Sequence, residues 1–160
     1  MSEITIRNAE PGDAALILKF ITELAIYEKA EDEVIATEED IRESIFGENS
    51  TVKGLICLVD NRPAGFAVYF YNYSTWLGKK GIYLEDLYVS PDFRRFGAGR
   101  ALFKELAQIA LAQGCERLEW NVLDWNEPAI AFYESIGGEA KSEWIGYRLS
   151  GEALKAMGQG

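Results

Sequence analysis

Residues 94–100 read Arg-Arg-Phe-Gly-Ala-Gly-Arg and run into an apolar-periodic segment that displays Leu102, Leu106 and Ile109. Arginines and glycines at the start of a helix make an anion site by elementary means. The first turn leaves N–H groups unpaired, the helix dipole adds partial positive charge, and glycine lets a ligand approach the main chain. The guanidinium groups of Arg94, Arg95 and Arg100 add charge-assisted donors. A phosphate group is the natural guest, even in a chain whose formal charge is -10. A P-loop is excluded because no Gly-Lys-Ser/Thr follows, and a dinucleotide fingerprint because Leu102 stands where its third glycine belongs. What remains is R-x-x-G-x-G, a pattern that packing alone also produces.

Other chemistry is bounded by what the chain lacks. With no histidine among 160 residues, Ser-His-Asp and Cys-His catalysis are excluded, and we expect no zinc or non-haem iron site. Proton transfer falls to Glu, Asp, Tyr, Lys, Cys or water. Glu85 and Asp86 are adjacent carboxylates in the apolar run "IYLEDLYV", where an ionised group needs a partner. Strand alternation sends them to opposite faces, so only one faces a given ligand. Between Glu28 and Glu43 eight acids face only Lys29 and Arg42, either a solvated face or a collector for a cationic ligand. Cys57 and Cys115 lack CxxC spacing, which fits a reduced cytoplasm. The acidic balance argues against nucleic acid, and no apolar run is long enough to span a membrane.

The elements that must position these residues follow from periodicity. "EITIR" predicts a strand, and "PGDAALILKFITELAIYEK" a helix with Ala15, Leu18, Ile21 and Ala25 on one face. "TEEDIRESIF" is a helix capped by Thr37 and Asp40. "TVKGLICLVD", "AGFAVYFYNY" and "GIYLEDLYV" predict three antiparallel strands, followed by a helix from about Gly97 to Gln113 that Gly114 ends. "RLEWNVLD" reads as a strand, "NEPAIAFYESI" as a helix, and "GGEAKSEWIGYRLS" as strand material before a short helix. No linker divides the chain, so we expect one α/β domain over residues 1–160, with a mixed, mostly antiparallel sheet flanked by helices.

"IYLEDLYVSPDFRRFGAGRALF" resembles the central acetyl-coenzyme A (acetyl-CoA) motif of the GNAT superfamily of N-acetyltransferases. "NVLDWNEPAIAFYESIGG" resembles that superfamily's second landmark. "ELAIYEKAEDEV", "YSTWLGK", "YLEDLYV" and "VLDWNEPAIAFY" are similar to its diamine acetyltransferase branch, the spermidine/spermine enzymes and their thialysine relatives. The resemblance implies the GNAT fold, acetyl-CoA as co-substrate, a small cationic amine as acceptor and a homodimer. It implies that the backbone of Leu87, Tyr88 and Val89 receives the pantetheine arm. It further implies that Arg94, Arg95, Phe96, Gly97, Ala98, Gly99 and Arg100 surround the pyrophosphate. Asn126, Glu127, Pro128 and Ala129 match positions on the cofactor's other side. Tyr133 matches the general acid near the sulfur, and Glu85 the carboxylate that meets the amine directly or through water. Tyr27, Glu28, Trp76, Glu119, Trp120 and Asn121 are implied to line the amine side.

Physical chemistry supports two of these roles. A lysine-like amine with pKa about 10.4 is neutral in roughly one molecule in a few thousand at pH 7, so the reaction needs a base. A phenol can return a proton to the departing thiolate at modest cost. Glu85 is equally an edge carboxylate paired with an arginine, and Tyr133 an ordinary core aromatic. Three departures bear on the amine. Ser74 and Thr75 replace an acid that precedes the tryptophan in the diamine enzymes, an arrangement seen in the thialysine relatives. One extra residue lies between Trp76 and Glu85, and Ile145 stands where a substrate-contacting glutamate aligns, with Glu143 nearby. A peptide amine as acceptor, and a non-catalytic module sensing acetyl-CoA or another phosphorylated ligand, are the alternatives.

Overall fold

A computed structural model of the chain describes residues 2–160. Its strands β1 (Ile4–Asn8), β2 (Val52–Val59), β3 (Arg62–Ser74), β4 (Lys79–Val89) and β5 (Leu118–Glu119) form one sheet in sequential order. The first four pair antiparallel, and β5 joins β4 in parallel. The helices are α1 (Ala14–Tyr27), α2 (Glu38–Phe46), α3 (Ala98–Ala112), α4 (Glu127–Ser135) and α5 (Gly151–Gln159). This is the mixed, mostly antiparallel α/β architecture expected from the sequence. Backbone contacts group the chain into two units, Met1–Asn121 and Val122–Gly160.

In the first unit, α1 and α2 cover one face of the sheet. Ile17, Phe20, Ile41 and Ile45 pack with Ile56, Phe66, Val68 and Tyr88, and the Phe20 and Phe66 rings stack with centroids 5.6 Å apart. The alternate residues Leu55, Cys57, Ala67 and Leu84 are buried too, and α3 contributes Leu102, Phe103, Leu106 and Ala110. Both faces of the sheet are therefore apolar, which explains its long hydrophobic strands. The α2 cap forms as expected: Thr37 Oγ1 accepts from the Asp40 N–H, and Asp40 accepts from the Thr37 N–H. α3 ends where Gly114 takes φ 74°, a left-handed conformation that glycine adopts without strain.

Three expectations are corrected. The fully buried stripe of α1 is Ala14, Ile17 and Phe20 with Ala25; Leu18 and Ile21 are only partly buried and Ala15 is exposed. This helix is apolar on two faces, so periodicity alone does not choose between them. The strand read in "RLEWNVLD" is confined to Leu118–Glu119. Residues 139–150 form no strand; they lead from α4 to α5 without regular pairing. No helix among the described residues is long and apolar enough to cross a membrane.

Candidate active site

The site is built around the carboxyl end of β4. Beyond the pairs Ile82 with Leu118 and Tyr83 with Glu119, β4 has no strand neighbour on its outer side among the described residues. Its other side stays paired with β3 up to Val89. Leu87, Tyr88 and Val89 thus lie on a strand edge able to add an extended ligand chain. A short 3-10 turn, Pro91–Phe93, carries the chain from this edge to residues 94–97 and α3.

Backbone conformation in that turn is unusual twice over. Arg95 has φ 80° and Gly97, the N-cap of α3, has φ 86°. Glycine accommodates this and arginine is strained by it. The first helical bond at this end runs from the Ala101 N–H to the Gly97 carbonyl. No backbone hydrogen bond outside the helix uses an N–H between Arg95 and Arg100 among the described residues. A cluster of amides is thus left without a backbone partner at a helix N-terminus, among the described residues. Packing does not explain the glycines. A Cβ on Gly97 would meet only Ile4 Cδ1 at 4.0 Å, and one on Gly99 only Val89 Cγ2 at 4.0 Å. Arg95 and Arg100 are exposed and make no ion pair among the described residues. Amides, glycines and guanidinium groups together suit a diphosphate.

Arg94 is disposed differently. Its Nε donates to the Val89 carbonyl at 3.0 Å, and its guanidinium lies over the rings of Tyr27 and Tyr88, 5.7 and 5.8 Å from their centroids. Tyr88 donates its hydroxyl to Glu23 Oε1 at 3.0 Å, and Glu23 pairs with Lys19 at 2.8 Å. Burial opposes ionisation of Glu23, yet Lys19, Tyr88 and Ser90 together hold its carboxyl below the usual range. Burial and the bond to Glu23 push the Tyr88 phenol up to about 12.

The carboxylates sit at an irregularity in β4. Val68 faces Asp86 and Tyr69 faces Leu84, which makes Glu85 supernumerary. The bulge interrupts the strict alternation on which the expected placement of Glu85 and Asp86 rested. Asp86 shares the face of Tyr88, opposite Val68, whereas Glu85 is exposed. Burial, and then the charges of Glu85 and Glu28, push Asp86 up to about 6. Burial also raises Glu28, the C-cap of α1. Two carboxylates, Glu85 and Glu28, thus act on a third, Asp86. Glu119 accepts from Asn72 Nδ2 at 3.2 Å, and Glu85 and Glu119 both act on the Tyr83 phenol, which burial raises further. Trp120 sets its ring edge-on to Phe103, with centroids 5.0 Å apart.

Elsewhere the predicted residues have clear local roles. Trp76 is exposed in the β3–β4 turn, and Asn121 is exposed at the end of the first unit. In the second unit Asn126 caps α4, its Oδ1 accepting from the Ala129 N–H, with Glu127 and Pro128 in the first turn. Tyr133 lies on α4, half-buried, its ring 5.9 Å from that of Phe132. Cys57 is fully buried, and burial pushes its thiol up to about 11, which removes it as a nucleophile. Asp86 is the residue that sequence reasoning passed over. Its signal was present as an acid inside an apolar strand, but the bulge that gives it prominence was not visible.

Comparison with known proteins agrees with this geometry. Residues 19–137 match the model of the Acetyltransferase (GNAT) family. A thialysine N-epsilon-acetyltransferase from Caenorhabditis elegans is 41% identical over 157 residues, with 96% of each chain covered. The structure of an integron cassette protein from the mobile metagenome of V. cholerae superposes with TM-score 0.82 at 29% identity, covering 98% of both chains. The fold is shared by an aminoglycoside N-acetyltransferase solved in complex with CoA, at TM-score 0.73, 18% identity, and coverage of 93% of this chain and 96% of that one. An open strand edge leading into an amide-lined turn, matched over most of the chain's length, makes this protein a member of the GNAT family of N-acetyltransferases.

Proposed function

We propose that the protein transfers the acetyl group of acetyl-CoA directly to the primary amine of a small cationic substrate, thialysine- or lysine-like or a polyamine. The observation that carries this reading is the set of amides from Arg95 to Arg100 that lack a backbone partner among the described residues, beside the open edge of β4. Those amides, with Arg95 and Arg100, hold the diphosphate, and the edge at Leu87, Tyr88 and Val89 orients the pantetheine arm. Asn126, Glu127, Pro128 and Ala129 are assigned to the same ligand by their match to the family's second landmark. The carboxylates of Glu28, Glu85 and Asp86 favour a cationic acceptor over a neutral one, and Tyr27, Trp76, Glu119, Trp120 and Asn121 complete its surroundings. The similarity to thialysine N-epsilon-acetyltransferases supports a thialysine-like acceptor.

In this mechanism Glu85 takes a proton from the bound ammonium, directly or through water. The freed amine nitrogen bonds to the acetyl carbonyl carbon and the carbon–sulfur bond breaks. Tyr133 gives its phenolic proton to the departing sulfur and is restored, through water, by the second proton that the acylated nitrogen sheds to become a neutral amide, while strand N–H groups steady the charge that develops on the carbonyl oxygen. No acyl-enzyme forms, in keeping with the inert Cys57. The reading is completed by a homodimer acting in the cytoplasm.

The test is thiol release from acetyl-CoA in the presence of thialysine, lysine, spermidine, putrescine and a peptide amine. Release with a small diamine or lysine analogue supports the reading. Release only with the peptide moves the acceptor to proteins, and CoA binding without any release makes the chain a sensing module.

A further inference from the structure

We propose that Arg94 is a positioning residue that couples the diphosphate turn to the amine side of the site, and that it is not a phosphate ligand. The inference rests on the reading above and deepens it. Of the three arginines in the motif, only Arg94 turns back onto the protein. Its Nε holds the Val89 carbonyl at the end of β4, and its guanidinium faces the rings of Tyr27 and Tyr88. Tyr27 ends α1 and adjoins Glu28, whose carboxylate acts on Asp86. Tyr88 is fixed by Glu23, also on α1. One planar cation thus ties the last turns of α1, the end of β4 and the start of the diphosphate turn.

The arrangement has a function for the turn itself. Arg95 follows immediately in a left-handed conformation, which persists only where its surroundings hold it. Anchoring Arg94 on one side, with α3 fixed on the other, keeps the amides of residues 95–100 in place before any ligand arrives. Preorganisation of this kind raises affinity without a new contact to the ligand. Because the anchor includes Tyr27, the amine side and the donor side share it. A planar guanidinium suits the task, since it donates in its own plane while presenting a face to an aromatic ring; an ammonium cannot do both.

The consequence is specific: a residue assigned to the amine pocket controls affinity for the donor when no amine is present. CoA binding is measured by calorimetry on the intact protein for wild type, Tyr27→Phe, Tyr27→Ala, Arg94→Lys, Arg94→Met and the Tyr27→Ala/Arg94→Met double variant, with thermal melts to verify folding. We expect Tyr27→Ala and Arg94→Met each to weaken CoA binding roughly three- to tenfold, on the scale of a cation–π contact. Tyr27→Phe should be near wild type, and Arg94→Lys should fail to restore affinity despite its charge. In the double variant the two losses should not add. Unchanged CoA affinity in Tyr27→Ala, additive losses, or rescue by lysine would each overturn the coupling. Should Arg94→Met not fold, Tyr27→Ala against Tyr27→Phe still decides. Absence of CoA binding by wild type would overturn both the coupling and the transferase reading; wild-type binding with an inert Tyr27 overturns the coupling alone.

Discussion

Tyr133 and Asp86 pose the sharpest questions at the scale of single residues. In the proposed mechanism Tyr133 needs only its hydroxyl to return a proton to sulfur, so Tyr133→Phe keeps the ring and removes that role. We expect turnover to fall roughly 10- to 1,000-fold with CoA affinity nearly unchanged, and steady-state kinetics beside CoA calorimetry checks the split. Asp86 carries a different signature. Its carboxyl ionises at about 6 in the folded chain, against an ordinary 3.8. The folded state therefore binds more protons than the unfolded one between these values. The penalty for ionising Asp86 is absent below the lower value and complete above the upper one, so stability falls as pH rises through the window. The shift corresponds to about 3 kcal/mol at most, since water reaches part of the group. Asp86→Asn should accordingly raise Tm at pH 8 and leave it unchanged near pH 3.5. The same variant should lose the rise of kcat/KM through pH 6, because it removes a buried negative partner for the ammonium. Melts from pH 3.5 to 8 and pH–rate profiles from pH 5 to 9 read the two effects, and equal Tm gains at pH 3.5 and pH 8 would contradict the electrostatic cause.

Among the elements, the diphosphate turn was legible in the sequence while the β4 bulge was not, and the contrast has a physical basis. A turn that exposes amides needs glycine and guanidinium groups at fixed spacing, so composition and position announce it. A bulge adds one residue to a strand; the paired acids of Leu84-Glu85-Asp86-Leu87 do not reveal which residue is extra until the partner strand fixes the register. Arg94 was legible as a cation but not as an anchor, because one of its rings, Tyr27, comes from a helix far away in the chain. The segment over residues 139–150 alternated well enough to read as a strand, yet pattern without a neighbour makes no ladder. Gly99 tests the turn as an element. It occupies the first turn of α3, and a methyl there would only touch Val89. Gly99→Ala should therefore stabilise α3 by about 0.5–1 kcal/mol and raise Tm by roughly 1–4 °C. The added methyl also intrudes where the ligand must approach, so CoA affinity should fall at least about tenfold. A melt and a CoA titration on the same variant decide the matter: if both stability and affinity are unchanged, the space above Gly99 is not part of the ligand site.

For the molecule as a whole, the question is how a chain of formal charge -10 would serve both the anionic donor and the cationic acceptor proposed for it. Distance and screening separate the two. The three acids in the first turn of α2 are engaged locally: Glu38 and Glu39 pair with Arg42, and Asp40 closes the helix cap. At the β4 bulge the charges of Glu85 and Glu28 both act on Asp86, a repulsion that a bound ammonium would relieve. Beyond them the remaining negative charge acts only as a diffuse field, which fades over about 10 Å at 0.1 M salt. For the donor, Arg95 and Arg100 lie beside the amides and act inside that distance, so local attraction prevails over the diffuse repulsion. Two salt dependences follow. For a dicationic acceptor, kcat/KM should fall roughly three- to tenfold between about 20 mM and 500 mM salt, mostly through KM, as the attracting field is screened. Neutralising α2 by Glu38→Gln and Glu39→Gln should change that slope little, because those charges are already paired with Arg42, whereas Glu28→Gln should flatten it. Kinetics at saturating acetyl-CoA across this salt range measures the slopes. A slope unaffected by Glu28 but abolished by the α2 substitutions would assign capture of the amine to the acidic helix face in place of the carboxylates at the β4 bulge.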